Sequence, residues 1–188
     1  QMEARLQSLY RRLEKACSLS SGILTEHQAL SYANKDEVRA AQAAKISLKQ
    51  AITIASKSAS GILISADFDE DDSDAIGKGG VYELEFSTDS VNYEVKVDAN
   101  TGKIVKKETD RLDGDDINVY QVQKKAKIDI MKAINIAEKQ TGGKILEIEF
   151  ENDRDYTNHT AYYKADLLKG NKIVSINVDA NSGKTFAN

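Results

Sequence analysis

Val97-Asp-Ala-Asn-Thr-Gly-Lys103 returns, 81 residues further on, as Val178-Asp-Ala-Asn-Ser-Gly-Lys184. In such a stretch the aspartate accepts backbone N–H groups, and the glycine takes a positive φ that a side chain would resist. Upstream, Ile46-Ser-Leu-Lys-Gln-Ala-Ile-Thr-Ile-Ala55 is matched by Ile128-Asp-Ile-Met-Lys-Ala-Ile-Asn-Ile-Ala137 at a spacing of 82. Two segments repeating at nearly one spacing make this chain two copies of one folding unit, separated by a single indel.

Each copy opens with a helix. Ser47 with Gln50 forms a capping box, Ile46 serves as the outer half of a staple, and Leu48, Ala51, Ile52, Ala55 and Ala59 share a face. Gly61 is expected to end it. In the second copy Asp129 is the cap, Ile130, Ala133, Ile134 and Ala137 make the face, and Gly142-Gly143 make the stop. The pattern then changes to alternation. Ile64, Ala66 and Phe68 correspond to Leu146, Ile148 and Phe150, and Tyr82, Leu84 and Phe86 to Tyr163, Ala165 and Leu167. Val91, Tyr93, Val95 and Val97 correspond to a stretch with Val174, Ile176 and Val178. Period-two alternation predicts antiparallel strands with one face on the helix and one in water. A last short strand is expected at 103–108 and again at 184–186.

The fold class is therefore α+β: two tandem units, each one helix on an antiparallel meander, preceded by an α-helical N-terminal extension. The expected divisions are an extension over 1–44, a first repeat over 45–109, a polar linker over 110–125 and a second repeat over 126–188. In the extension, Met2, Leu6, Leu9, Leu13 and Ala16 form a helical stripe. It either covers a core or a second copy of the chain, or meets a membrane surface or partner. A second helix follows Thr25, which with Gln28 can form a capping box, and is expected to be interrupted near 34–36.

The 188 residues carry a net charge of −4 and no basic stripe, which argues against a nucleic-acid partner. No apolar run is long enough to span a bilayer. No signal peptide is visible at Gln1, which a trimmed chain would also lack. Cys17 is the one cysteine, which excludes an intrachain disulfide and multi-cysteine zinc sites.

Tyr93-Glu-Val-Lys-Val-Asp-Ala-Asn-Thr-Gly-Lys-Ile-Val105, with the helix start and the strand from Tyr82 to Phe86, resembles the PepSY domain. The second copy matches over the turn but lacks the Tyr-Glu-Val-Lys pattern. PepSY domains occur in propeptides of thermolysin-type metalloproteases and in small exported bacterial proteins. The resemblance implies binding and inhibition of a peptidase in trans, and a periplasmic or extracellular location. It carries no catalytic residue. Asp98, Asn100 and Gly102, with Asp179, Asn181 and Gly183, transfer as structural positions only.

No catalytic, cofactor or metal residue is assigned. Asp67, Asp69 and Asp71 alternate as calcium ligands would, but Asp72 and Lys78 stand where an EF-hand loop needs Gly and Glu. The acidic run 67–74 reads as a hydrated loop. Glu151, Asp153 and Asp155 near His159 make at most a loose metal set. His27 and His159 lie in no hydrolase motif, and Cys17 has nothing to lower its pKa. Glu83 and Glu85 read as a solubilising strand face. The first expectation is a non-enzymatic, exported binding protein acting on a peptidase through a sheet edge or the exposed sheet face. The alternative is an envelope assembly or ligand-sensing module with no peptidase partner, self-associating through its N-terminal helix.

Overall fold

Ser47 begins a helix because its side chain takes the Gln50 N–H at 3.2 Å while the Gln50 side chain takes the Ser47 N–H at 2.8 Å. The computed structural model describes residues 26–187, and side chains from Lys35 onward. The Met2–Ala16 stripe, Cys17, the Thr25 cap and the His27 side chain lie outside the described residues. Helix α1 spans Glu26–Ala43 and continues unbroken through 34–36, where an interruption was expected. Helix α2 spans Leu48–Ser56. It stops short of Gly61, because Ser56 and Ser58 hydroxyls donate to the Ile52 and Ala55 carbonyls of the last turn. Gly61 serves the strand that follows: at φ 97°, a Cβ there would lie 2.2 Å from the Ser87 carbonyl oxygen.

The first meander is β1 (Ile62–Asp69), β2 (Val81–Ser87), β3 (Val91–Asp98) and β4 (Ile104–Arg111). The segment 110–125 holds helix α3, Gly114–Lys125, with Tyr120 and Gln123 buried. Its periodicity is poor, since only a narrow side meets the protein, so the sequence reads as linker. Helix α4, Ile130–Thr141, follows its Asp129 cap and ends at Gly142 as expected. The second meander is β5 (Lys144–Asn152), β6 (Ala161–Lys169), β7 (Lys172–Asp179) and the short β8 (Thr185–Phe186).

All strands join one antiparallel sheet, ordered β4-β3-β2-β1-β5-β6-β7-β8. The two units meet where β1 pairs β5, with Ser65 opposite Glu149, Ala66 opposite Ile148 and Asp67 opposite Glu147. Ala66 and Ile148 are equivalent repeat positions, so a pseudo-twofold axis runs between them, normal to the sheet. Even the irregularities repeat: register shifts at 63–65 and 145–147 fall at matching places. That axis puts α2 and α4 on the same face. Lys49 donates to Asn135 at 3.1 Å and pairs with Glu138 across them.

One continuous core therefore serves both units. Leu48, Ile52, Ala66, Phe68, Leu84 and Val95 share it with Ile134, Ile148, Phe150, Tyr163, Leu167 and Val178. Burial of Leu48 and Ile52 contributes about 2 kcal/mol each. The buried alanines Ala51, Ala55, Ala133 and Ala137 let both helices approach the sheet closely. Ile64, Leu112 and Tyr120 form a small second cluster beneath α3.

Candidate functional site

The repeated turn is a clamp on the helix start. Gly102 and Gly183 both hold φ 74°. The Ala99 carbonyl accepts the Lys45 and Ile46 N–H groups, each at 3.1 Å, and the Ala180 carbonyl accepts the Ile128 N–H at 2.9 Å. Across the core, Tyr82 donates its hydroxyl to the Ile46 carbonyl at 2.6 Å and Tyr163 donates to that of Ile128 at 2.7 Å. Burial pushes the Tyr82 hydroxyl up to about 12 and moves that of Tyr163 upward as well. Tyr163→Phe leaves the buried Ile128 carbonyl without this donor and is expected to cost about 1 kcal/mol, read as a shift in urea midpoint. The motif thus explains the scaffold.

The sheet face opposite α2 and α4 is where the two copies diverge. In the first unit it carries Glu83, Glu85, Glu94 and Lys96, with Glu83 opposite Lys96 and Glu85 opposite Glu94. The carboxylates of Glu83, Glu85 and Glu94 can approach within 4.8 Å of one another. Burial, with Glu94 next, raises the Glu83 carboxyl from 4.5 to about 7, while Lys96 opposes that rise. The folded chain then holds a proton that the unfolded chain has released between those values. Stability falls as pH rises through that window, and the full penalty stands above it. Glu83→Gln is expected to stabilise the protein by about 1–2 kcal/mol at pH ~8, after discounting for solvent screening, and hardly at all near pH ~4. Paired melting curves at the two pH values would show it, and a Gln variant less stable at the higher pH would contradict it.

Over this face folds the β1–β2 loop. It is exposed at Asp71, Ser73 and Asp74, in keeping with a hydrated loop, but Asp72 departs from that expectation and turns inward, 8% exposed. The Lys96 ammonium donates to Asp72 at 2.8 Å and to Asp74 at 3.0 Å. Asp69 and Asp72 also accept N–H groups two residues on, from Asp71 and Asp74. The loop is tied at its far side too, where the Ile76 N–H donates to Asp98 at 2.8 Å.

In the second unit the corresponding β5–β6 loop brings different chemistry. His159 Nδ1 lies 2.7 Å from Asp179 Oδ2, occupying the role that the Ile76 N–H plays at Asp98. The His159 ring stacks on Phe186 at 4.0 Å. Tyr156, Tyr162 and Phe186 meet edge to face at 5.0–5.7 Å. The Tyr162 hydroxyl donates to both Asp153 oxygens, at 3.1 and 3.0 Å. Burial raises its pKa, and the Asp153 carboxylate adds to the rise.

The structure therefore separates the acidic residues that the sequence groups together. Asp153 joins Tyr162, while His159 joins Asp179, so Glu151, Asp153 and Asp155 do not converge with the histidine. His159 and Asp179 border an open hollow with Asn158, Asn181, Ser182 and Lys184. Of the two hydroxyl residues lining that hollow, Thr160 and Ser182, the second accepts the Lys184 N–H at 3.2 Å. Sequence reasoning missed the aromatic cluster. Tyr156 sits in a polar loop and Phe186 in a two-residue strand, so neither falls in a periodic run.

A duplicated helix-backed sheet, with a scaffold motif and two unlike loops over its outer face, defines a class of tandem-repeat α+β protein. The family described as peptidase propeptide and YPEB domain, PepSY, matches residues 45–108 and 127–187, and the chain belongs to it. A solved structure from Clostridium difficile 630, of a candidate lipoprotein, is 26% identical, with 77% of this chain and 92% of that chain covered and a TM-score of 0.43. No curated protein matches significantly.

Proposed function

We propose that this chain is an exported, non-enzymatic binding protein that restrains a peptidase in trans. One observation carries the reading: the hairpin most typical of the family ends in β4, the outermost strand of the sheet, whose far edge bears no neighbouring strand among the described residues. Such an edge offers N–H and C=O groups to an extended segment, as a peptidase cleft does to its substrate. A strand fixed in a sheet fills a cleft without adopting the geometry needed for cleavage. Lys106, Glu108 and Asp110 put charge along this strand, which discourages indiscriminate edge pairing and leaves a selective partner as the favoured one.

The test is inhibition of a co-secreted thermolysin-type metallopeptidase by the purified chain, with proline placed in turn at Glu108 and Thr109. Adjacent N–H groups on a strand point to opposite sides, so one substitution breaks the β3 ladder and the other only the free edge. Inhibition lost by the fold-preserving proline supports the reading. Undiminished inhibition by that variant, or none by the parent chain, sinks it.

A further inference from the structure

The molecule holds two copies of one position on its outer face, and the copies disagree. Lys96 of the first unit corresponds to Asn177 of the second. Lys96 is an internal ammonium, met by two carboxylates of the overlying loop. Asn177 is 0% exposed, and neither atom of its amide has a hydrogen-bond partner. Leaving such an amide buried and unpaired is costly, and an apolar residue of similar size would avoid that cost.

The surroundings of Asn177 suit a cation. Phe186 is its neighbour on β8 and Lys164 its neighbour on β6. Tyr162 and Asp179 share the same face, one register step along. Above stand the partly exposed Tyr156 and Phe186, one face of Phe186 covered by the His159 ring, with the Asp153 carboxylate on the Tyr162 hydroxyl. Aromatic faces beside carboxylates bind organic ammonium groups. Where the first unit supplies lysine from its own strand, the second supplies aromatic rings, a carboxylate and an unsatisfied amide.

We propose that the outer face of the second unit is a recognition site for a lysine side chain of a partner protein, its stem on Tyr156 and Phe186 and its ammonium shared by Asp153 and the Asn177 amide. This concerns the chemistry of the contact, whichever protein supplies it, and so stands apart from the peptidase reading. The loop 153–160 must shift for the ammonium to reach Asn177. Lys164 is the internal competitor: it takes the position held by Glu83 in the first unit and lies opposite Glu149 in register.

The probe is N-acetyl-lysine methylamide, titrated against the full chain by NMR, with the norleucine analogue as the uncharged control. Saturable shifts of the Tyr156 and Phe186 ring signals and the Asn177 amide are expected with lysine alone. Asn177→Lys, which supplies the ammonium internally as Lys96 does, is expected to abolish them. Tyr156→Leu, which takes one ring from the cluster, is expected to weaken binding at least fivefold in a chain whose urea midpoint shows that it is folded. Equal response to norleucine, no response to lysine, undiminished binding by Asn177→Lys, or binding that appears only in Lys164→Met would each overturn the proposal.

Discussion

Lys96→Met is expected to destabilise the protein by about 3 kcal/mol at neutral pH, because it strands the buried Asp72 carboxylate without its counter-charge. Asp72 has 3% of its side chain exposed and the Lys96 side chain 10%. Burial alone would drive the ammonium toward its neutral form. The hydrogen bonds that the ammonium donates to Asp72 and Asp74 outweigh that and hold its pKa above the usual 10.5. A group raised in this way contributes its full stability below the unfolded value and loses it only as pH climbs through the folded one. Neutral pH therefore reports the whole of the ammonium's own contribution. The methionine stem fills most of the lysine's volume, so the loss is one of charge and not of packing. Glu83 also loses the cation that restrains its rise, so the penalty is expected to deepen between pH ~6 and ~8. A melting temperature lower by roughly 10 °C is the readout for a domain of this size. Adding Asp72→Asn should recover about half of it, because the stranded charge goes with it. A melting temperature unchanged by Lys96→Met would mean that the loop is held without the ion pair.

How much of this was readable beforehand follows the range of each interaction. Ser47 with Gln50 and Asp129 with Lys132 act within one turn, so the caps are legible in the letters. The strands announce themselves because Leu84, Val95 and Ile148 alternate with charge. What escaped is what depends on the joining of the units. Nothing local to Ala66 or Ile148 says that they face each other across an axis, because each reads as an ordinary core position in its own strand. The burial of Asp72 escaped for a related reason: a run of carboxylates looks hydrated until Lys96, 24 residues away, is placed beneath it. The aromatic cluster escaped because Tyr156, Tyr162 and Phe186 come together only through a loop and the last strand.

The other large effect is expected at the repeated turn, where Asp98→Ala should cost about 3–4 kcal/mol and Asp179→Ala somewhat less. Asp98 is fully buried and accepts from the Asn100 N–H at 3.2 Å, and from the Thr101 N–H, the Thr101 hydroxyl and the Ile76 N–H, each at 2.8 Å. Alanine leaves these donors to find other partners, frees the β1–β2 loop at Ile76, and loosens the turn whose Ala99 carbonyl holds the start of α2. Asp179 accepts the Asn181 and Ser182 N–H groups, each at 2.8 Å, with further help from the Ser182 side chain, and where Asp98 holds the Ile76 N–H it holds His159, a side chain that water can serve instead. Burial alone would raise both carboxyls. At Asp98 the hydrogen bonds from Ile76, Thr101 and Asn100 hold the pKa below its usual 3.8, and at Asp179 those from His159, Ser182 and Asn181 do so. A depressed carboxyl gives its stability above the unfolded value and loses it as pH falls through the folded one. The parent chain should therefore lose stability steeply below pH ~4, and Asp98→Ala should show a shallower acid limb from a lower starting point. Urea midpoints at pH ~7 and ~2.5 measure both quantities at once. If the alanine variant kept the parent's acid slope, the stability of the turn would have to come from its backbone bonds, with the aspartate an onlooker.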